Sequence, residues 1–538
     1  MLPKPIQDLL ARHEALKTER SNWLDHWQDL AEIFLPNRAD ITSERSPGER
    51  RMERVFDSVP MLARRGLSST IGGLLMPRTK PWVVVSTGDD KLDEVSEVRA
   101  WLEIVNERLW RSIYNPLSNF TERSNEIDDD LVTFGTGCLL ILQGRGRLNF
   151  RALHIKRVTF ATDQDGQIDT IFVEMDRTVS QLIKEYGIDS LDGRTAEMAR
   201  EGGKSLDKKV KLVWAVVPRE DARIGSPFAT DMPWAEYVID KDSEHVIKEW
   251  GFAEFPAAIP RWDTRSEERY GRSPAMLALP DANTLQQMGK TNLIAGQKAA
   301  SPPLLVNSDS VFGTPRMFPD GITYWSKFQS GDRSTRPVEP LFTGANIPLT
   351  REMQGDFREQ IFAAFFRNVF NLPVDSPRMT ATEILERKDE FLRTVGPVFG
   401  RLQDSYPAVI ARRSFRILLR VGAFPPPPEI LRARRIRFEL ISPTEQARKQ
   451  IEAAGFSRGL ELLAPIGTAQ PEVYDNFDGD EIARDIPELF GAPKRWLRPV
   501  NDVAAIRQQR VQKQEAIERL QAGLAVADIS ETAAGAAS

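Results

Sequence analysis

The sequence predicts an α+β fold in which helices surround one block of β-strands. Apolar residues recur at helical spacing before residue 134 and over most of 274–421, whereas alternation of apolar and polar residues governs 135–262. A chain of 538 residues is too long for one compact core, so several structural units are expected. Apolar and charged contents of 41% and 28% are typical of a globular protein.

The first 134 residues are predicted to be mainly helical. Residues 5–35 carry apolar side chains on one helical face, and this pattern ends at Pro36. A polar stretch, 37–53, should form an exposed loop. One strand and three further helices are expected at 82–87 and at about 56–76, 93–114 and 118–134.

Residues 135–262 are predicted to form an antiparallel meander. Turn residues separate the alternating segments, notably Gly144 to Gly146 and the Asp165-Gly166 pair. The resulting hairpins and strands make this the β-rich part of the molecule.

Two helices of similar length, 274–300 and 349–370, bracket a segment of different composition. Residues 301–348 contain seven prolines and four glycines, which favour loops and short strands. This predicts a helical stalk with a small unit at its tip. The aromatic residues of that unit suit a docking surface better than a self-sufficient core; they are Phe312, Phe318, Tyr324, Trp325 and Phe328.

A long helix is predicted to follow the irregular stretch 371–379. Thr380 and Glu383 form a Thr-x-x-Glu capping box that marks its start. Gly396-Pro397 should bend this helix, because proline removes a backbone donor and clashes with the preceding turn. Beyond it we expect a strand at 434–442, several short helices, a last helix at about 501–527 and a disordered tail.

Composition argues against several classes of protein. One cysteine, Cys138, excludes an internal disulfide framework, and four scattered histidines argue against a zinc site. The N-terminus lacks the apolar region of a signal peptide, and the most apolar run, 131–144, is too short to span a bilayer. A net charge of −5 argues against a general nucleic-acid binder but allows a protein that surrounds DNA without gripping it.

Three motifs could carry chemistry, and each has a simpler interpretation. The glycine-rich GLSSTIGG (66–73) lacks the Gly-Lys-[Ser/Thr] of a phosphate loop, which favours a helix-packing contact. The carboxylates of IDDDLV (127–132) fit a metal-dependent nuclease, but neighbouring helical positions diverge, which favours a solvated face. The arginines between Arg412 and Arg437 favour pairing with acids over contact with DNA. We therefore predict no catalytic residue, no bound metal and no cofactor.

Six segments carry a resemblance that extends over nearly the whole chain. They are WQDLAEIFLP (27–36), VFDSVPMLARRGLSSTIGGLLMP (55–77), SNFTERSNEIDDDLVTFGTGCLLI (118–141), RYGRSPAMLALPDANTLQQM (269–288), SPPLLV (301–306) and MTATEILERKDE (379–390). Together and in this order they resemble the portal proteins, or head-to-tail connectors, of short-tailed, T7-like bacteriophages.

The resemblance implies an elongated subunit that assembles as a ring, usually of twelve copies, around an axial channel. A tunnel loop would project into the channel, and a kinked helix would lead from the channel wall back into the wing. The implied parts are a wing (1–273), a first stem helix (274–300), a small α/β clip (301–348), a second stem helix (349–370), the tunnel loop (371–379), the kinked long helix with a wing strand (380–442) and a crown with the C-terminal helix and tail (443–538).

The same resemblance implies partners and a location. The ring would lie at one capsid vertex of the virion, after assembly in the host cytoplasm, and would pass double-stranded DNA without catalysis. Its other partners would be the large terminase, then the tail adaptor protein, with the major capsid and scaffolding proteins around it and no membrane. Candidates to face DNA are Ser376 and Arg378 in the tunnel loop and Lys290 and Lys298 on the first stem helix.

Two other functions stay open at this stage. One is a metal-dependent DNA-processing enzyme that uses the carboxylates of 128–130, and the other is a different structural protein of the virion. Ring symmetry would separate the portal hypothesis from both.

Overall fold

A computed structural model describes most of the chain. The described residues are 4–43, 46, 48–93, 95–144, 146–223, 228–307, 316, 318, 321–325, 338–340, 347–367, 393, 396–432, 436–441, 455–456, 458–460, 463–465, 470, 476–489, 498, 502–514 and 517. The chain divides into two units, the first formed by Met1–Val83 with Arg108–Ala423 and the second by Val84–Glu107 with Phe424–Ser538.

Helices form most of the N-terminal part, as predicted. They are α1 (Lys4–Glu19), α2 (Ser21–Phe34), α3 (Val59–Leu75), α4 (Asp90–Asp93), α5 (Ser96–Ile113) and α6 (Phe120–Phe134), with strand β1 (Val83–Ser86) before α4. The helix predicted over 5–35 is interrupted at Arg20. The buried guanidinium of Arg20 donates hydrogen bonds to the carbonyls of Ile155 and Val158, which ties the break to the start of the large sheet.

The alternating segment forms the predicted antiparallel sheets. Its strands are β2 (Leu139–Gln143), β3 (Leu148–Ala152), β4 (Val158–Thr162), β5 (Ile168–Thr178), β6 (Lys209–Pro218), β7 (Trp234–Asp240), β8 (Val246–Phe252) and β9 (Ala257–Ala258). Strand β2 lies between β3 and β9, while β4 to β8 form a five-stranded meander in sequence order. Leu16 of α1 packs on this meander against Phe172, Val213 and Ala215, so the first helix covers one face of the sheet.

Two short helices, α7 (Val179–Tyr186) and α8 (Gly193–Glu201), lie between β5 and β6. These helices were not predicted from the sequence, although both carry a cap signal. Thr178 and Gln181 form a capping box at α7, and Asp192 accepts a hydrogen bond from the Thr195 amide at α8.

The two helices predicted around the proline-rich segment are present and pack against each other. Helix α9 (Pro274–Ala300) has the predicted bounds, with the Ser273 hydroxyl accepting a hydrogen bond from the Met276 amide at 3.1 Å. Its 27 residues give a length of about 40 Å. Helix α10 (Ile347–Ala364) ends six residues before the predicted 370, because the chain turns at Phe366, whose φ of 57° lies in the left-handed region.

The described part of the proline-rich segment forms a small mixed sheet. Strand β10 (Leu304–Asn307) pairs in parallel with β11 (Ile322–Trp325) and antiparallel with β12 (Val338–Pro340). The short strands predicted for this segment are therefore confirmed.

The long helix after the predicted loop contains a break that the sequence analysis missed. Helical residues 396–405 are followed by Tyr406, with φ −122° and ψ −78°, and then by α11 (Pro407–Arg420). Pro407 has no amide to continue the helical hydrogen bonds, so a new helix begins there. Gly396 and Pro397 lie at the start of the described helical run, and their predicted bend stays a prediction.

The second unit joins two distant parts of the sequence. Strand β13 (Arg437–Leu440) pairs with β1, and the Ser86 hydroxyl donates a hydrogen bond to Glu439 at 2.6 Å. The Trp101 indole donates to the Pro425 carbonyl at 3.0 Å. Helix α12 (Gly479–Leu489) belongs to the same unit, as do helical residues 502–514. Residues 84–107 were predicted to belong to the wing with the other N-terminal residues.

Two glycines set the junction between α6 and α9. Gly135 ends α6 with φ 77°, and a Cβ at this position would lie 2.2 Å from the Gly271 carbonyl oxygen. A Cβ on Gly271 would in turn lie 2.3 Å from the Gly135 carbonyl oxygen. Both positions therefore require glycine for this close backbone approach.

We expect Gly135→Ala to lower the free energy of unfolding by roughly 3 kcal/mol or more, because it combines left-handed strain with a backbone clash. Gly166→Ala is the matched control, since its φ is 76° with nothing within 4 Å of the added Cβ. The control should lose only about 1 kcal/mol in urea unfolding. Equal losses for both variants would show that the close approach of Gly135 to Gly271 adds nothing to the cost of the substitution.

Candidate functional site

The segment that precedes α3 is bound to the middle of both α9 and α10. The Gln286 side chain on α9 accepts hydrogen bonds from the amides of Phe56 (2.6 Å) and Asp57 (2.8 Å) and donates to the Asp57 carbonyl (2.8 Å). Arg358 on α10 pairs with the Asp57 carboxylate at 2.8 Å. Asp57 therefore binds one helix through its backbone and the other through its side chain.

Both helices also expose large apolar side chains. These are Leu277 (73% exposed), Leu293 (56%), Ile294 (41%) and Met353 (44%). Contact of such groups with water is unfavourable, and clusters of them on a surface mark sites of interaction with other proteins. The helix pair therefore offers a surface suited to contact with a further protein copy or partner.

Two of the four residues predicted to face DNA lie among the described residues. Lys290 is exposed and Lys298 is half-buried, and neither forms an ion pair with the residues that the structure describes. Eight residues separate them, which is about 12 Å along α9. Ser376 and Arg378 lie outside the described residues, as do Thr380 and Glu383 of the predicted helix cap.

Three of the five aromatic residues predicted to form a docking surface also lie among the described residues. Phe318 is 57% exposed, and its carbonyl accepts a hydrogen bond from the Gly321 amide at 2.9 Å. Tyr324 and Trp325 belong to strand β11. Phe312 and Phe328 lie outside the described residues.

The acidic run on α6 is not a solvated face, contrary to the prediction. Asp128 and Asp130 are 2% and 0% exposed, because α6 packs against α3 and other helices. A Cβ on Gly72 of α3 would lie 2.7 Å from Asp128 Oδ2, so the GLSSTIGG motif lets the two helices approach closely. Burial, reinforced by the charge of Asp129, raises the pKa of Asp128 well above its usual range.

The other two carboxylates have separate cationic partners. Asp129 accepts hydrogen bonds from Arg64 and from Ser68, the latter at 2.6 Å. Arg38 Nη1 lies 3.0 Å from Asp130 Oδ1, and burial nevertheless raises the pKa of Asp130 to about 7. The carboxylates diverge toward these partners, which does not favour a shared metal ion.

The predicted pairing of the arginine cluster with acids is confirmed where the structure describes it. Arg413, Arg416 and Arg420 approach the Glu254 carboxylate at 3.4, 3.7 and 2.6 Å. Arg413 is buried and also donates to the Ile141 carbonyl at 2.7 Å. These arginines join α11 to the β-rich part of the first unit.

A group of metal-ligating atoms among the described residues consists of His13, Glu14 and Glu174. Lys17 and Lys241 donate to Glu174 at 2.8 and 3.1 Å. The hydrogen bond from His13, followed by those from the lysines, holds the pKa of Glu174 well below its usual range despite burial. The ammonium groups already compensate the carboxylates, so the group acts as an ion-pair network between α1 and the sheet.

None of the described helices combines the length and the apolar character needed to cross a membrane.

We expect Asp130 to make stability fall as pH rises. Its folded pKa is raised from 3.8 to about 7, so the folded state holds the proton more tightly than the unfolded state between these values. The resulting loss of stability is absent below about pH 4 and complete above about pH 8, and it is on the order of 4 kcal/mol. Asp130→Asn should flatten the pH dependence of urea unfolding between pH 5 and 8, whatever its effect on absolute stability.

The exposed Asp25 provides the control for this experiment. Asp25→Asn removes a carboxyl group from the surface, and its unfolding is followed over the same pH range as that of Asp130→Asn. An unchanged slope in Asp130→Asn would contradict the assignment of a raised pKa to this buried carboxyl.

Comparison with known proteins identifies the family. The family model described as "Bacteriophage head to tail connecting protein" matches residues 6–497. The chain is 28% identical over 521 residues to the probable portal protein of Bordetella phage BPP-1, covering 95% of this chain and 92% of that protein. It is 27% identical over 533 residues to the portal protein of Salmonella phage epsilon15, covering 97% and 94%.

A solved structure titled "Virion of native gene transfer agent (GTA) particle" aligns with 84% of this chain and 96% of its own, at 12% identity and a TM-score of 0.37. The family model spans nearly all of the chain, which confirms the family seen in the six sequence segments. The chain therefore belongs to the bacteriophage head to tail connecting proteins, structural components of the virion at the junction of head and tail.

Proposed function

We propose that copies of this chain close into a ring around an axial channel, usually of twelve copies in the portal proteins it resembles. The ring forms the portal at one capsid vertex, through which double-stranded DNA is packaged and ejected. The observation that carries this proposal is the exposure of Leu293, Ile294 and Met353 on the paired helices α9 and α10. A contact that repeats between identical copies buries such side chains. It produces a closed ring when the rotation relating neighbouring copies is a whole fraction of a full turn.

A channel for DNA must allow sliding, and the charges of the chain support this role. Each phosphate that a cation neutralises strengthens binding and slows movement along the duplex. The net charge of −5 and the sparse cations Lys290 and Lys298 suit a channel wall that contacts DNA without binding it tightly. In this proposal Ser376 and Arg378 of the tunnel loop, 371–379, also face the DNA.

The clip, 301–348, is proposed as the docking surface. It meets the large terminase during packaging and the tail adaptor protein afterwards, while the major capsid and scaffolding proteins surround the wing and crown. Exposure of Phe318 supports this role, because aromatic side chains anchor many protein interfaces. The stem helices carry the clip away from the sheet-rich wing.

The proposed ring acts without catalysis. The alternative of a metal-dependent DNA-processing enzyme needs carboxylates that converge on a cation, whereas Asp129 and Asp130 bind separate arginines. Magnesium-dependent cleavage of DNA that Asp129→Ala abolished would favour the enzyme instead. Rings of this chain around a central channel would favour the portal over a different structural protein of the virion.

We expect the purified chain to form rings with a central hole in end-on negative-stain images. Leu293→Glu should abolish them and leave folded single copies, because burying a carboxylate at every contact costs several kcal/mol. Leu117→Glu is the matched control, since Leu117 is 59% exposed and lies in the turn Pro116–Ser118, outside both helices. Loss of rings in both variants would show that the disruption is not specific to the stem.

Deletion within 371–379 should leave the number of copies in the ring unchanged and lower the retention of packaged DNA. The reason is that a loop projecting into the channel contacts DNA without contributing to the interfaces between copies. Images of the rings and the DNA content of assembled particles measure the two effects. Loss of assembly would instead make this segment part of the interface.

A further inference from the structure

A cavity of about 490 Å³ lies between α3 and α6, within the first unit. Its wall includes residues from two motifs that membership of the connector family leaves without a role. Ser68, Ser69 and Gly72 come from GLSSTIGG, while Asp128 and Asp129 come from IDDDLV. The volume falls in the range of small-ligand sites.

The cavity has a surplus of positive charge. Arg64, Arg65 and Arg78 line it, and Arg64 pairs with Asp129. Arg65 and Arg78 are exposed and form no ion pair with any residue in the described part of the chain. Three guanidinium groups thus face two carboxyl groups, so the lining is positive whether or not Asp128 is ionised.

Two buried polar groups on this wall lack hydrogen-bond partners among the described residues. Asp128 is 2% exposed, and its Oδ1 is fully buried without a partner. Arg64 Nε is also buried and has no acceptor. Leaving such groups unsatisfied is costly. Asp128 lines the cavity, and burial favours the protonated form of its carboxyl, which can donate a hydrogen bond.

We propose that the cavity binds a phosphate group, held by Arg65 and Arg78 with Asp128 as a hydrogen-bond donor. Guanidinium groups match pairs of phosphate oxygens in charge-assisted hydrogen bonds. The three donors come from α3, from the segment after it and from α6, and a phosphate group offers more acceptor oxygens to such a set than a carboxylate does. The site lies within one copy and does not depend on the proposed ring.

The test is calorimetric titration of inorganic phosphate into the purified chain, at an ionic strength held constant with chloride. The native chain should bind phosphate saturably, and the Arg65→Gln/Arg78→Gln double variant at least about tenfold more weakly. Arg12→Gln is the matched control, because Arg12 is exposed on α1 and has no ion pair among the described residues. It should bind phosphate as the native chain does.

Asp128→Asn tests the third donor, because the amide keeps a donor and removes the acid. It should bind phosphate with nearly native affinity. A large loss of affinity, in a variant whose thermal unfolding is native, would overturn the assignment of Asp128 as a donor.

A second experiment identifies the source of the phosphate group. It measures binding of a short labelled DNA duplex to the chain by fluorescence anisotropy. Duplex binding that inorganic phosphate displaces and the double variant loses would support a nucleic-acid phosphate. Phosphate binding without duplex binding would support a free phosphate ion. Failure of the native chain to bind either, or equal binding by the double variant, would overturn the proposal. Loss of assembly in the double variant without phosphate binding by the native chain would place the arginines at an interface between copies.

Discussion

The close backbone approach of Gly135 and Gly271 decides where α9 leaves the core. The Trp262 amide donates to the Gly135 carbonyl at 2.9 Å, and the Ser273 hydroxyl donates to the Thr133 carbonyl at 2.7 Å. The end of α6 is thereby joined to the segment that leads into α9, through the Trp262 main chain and the Ser273 side chain. Because α10 packs on α9, the direction of both helices follows from this junction. A side chain at either glycine would push the helix pair away from α6.

Elements with local signals could be predicted from the sequence, whereas those decided by distant partners could not. Helix α9 has a cap, a proline at its first position and a stop, and its bounds were predicted correctly. The break at Arg20 depends on carbonyls more than 130 residues away, which no local pattern reveals. Pairing of β1 with β13 is likewise non-local. At Tyr406 the signal was present in Pro407, but apolar residues continue at helical spacing on both sides of it, so one unbroken helix was predicted.

The distinction between local signals and distant partners also decides which features of the candidate site could be predicted. Exposure of Lys290 could be predicted, because an ammonium group is rarely buried without a partner. Burial of Asp128 and Asp130 could not, because composition places acids at the surface and their neighbours come from other helices. Arg38 and Arg64 are remote in sequence and reach α6 only when α2 and α3 pack beside it. A run of three acids was therefore mistaken for a solvated face, although each of its members has a different environment.

Ring closure resolves an energetic difficulty in the proposed assembly. Each buried apolar side chain contributes about 1.5–3 kcal/mol, and forming one interface costs at least about 4 kcal/mol of lost translation and rotation. The partly exposed side chains of α9 and α10 would make a single pair of copies only marginally stable. A closed ring of n copies has n interfaces but only n−1 association steps, so its last interface forms without that cost. The same weak contact that leaves a pair unstable can therefore hold a complete ring, which favours closure over open chains.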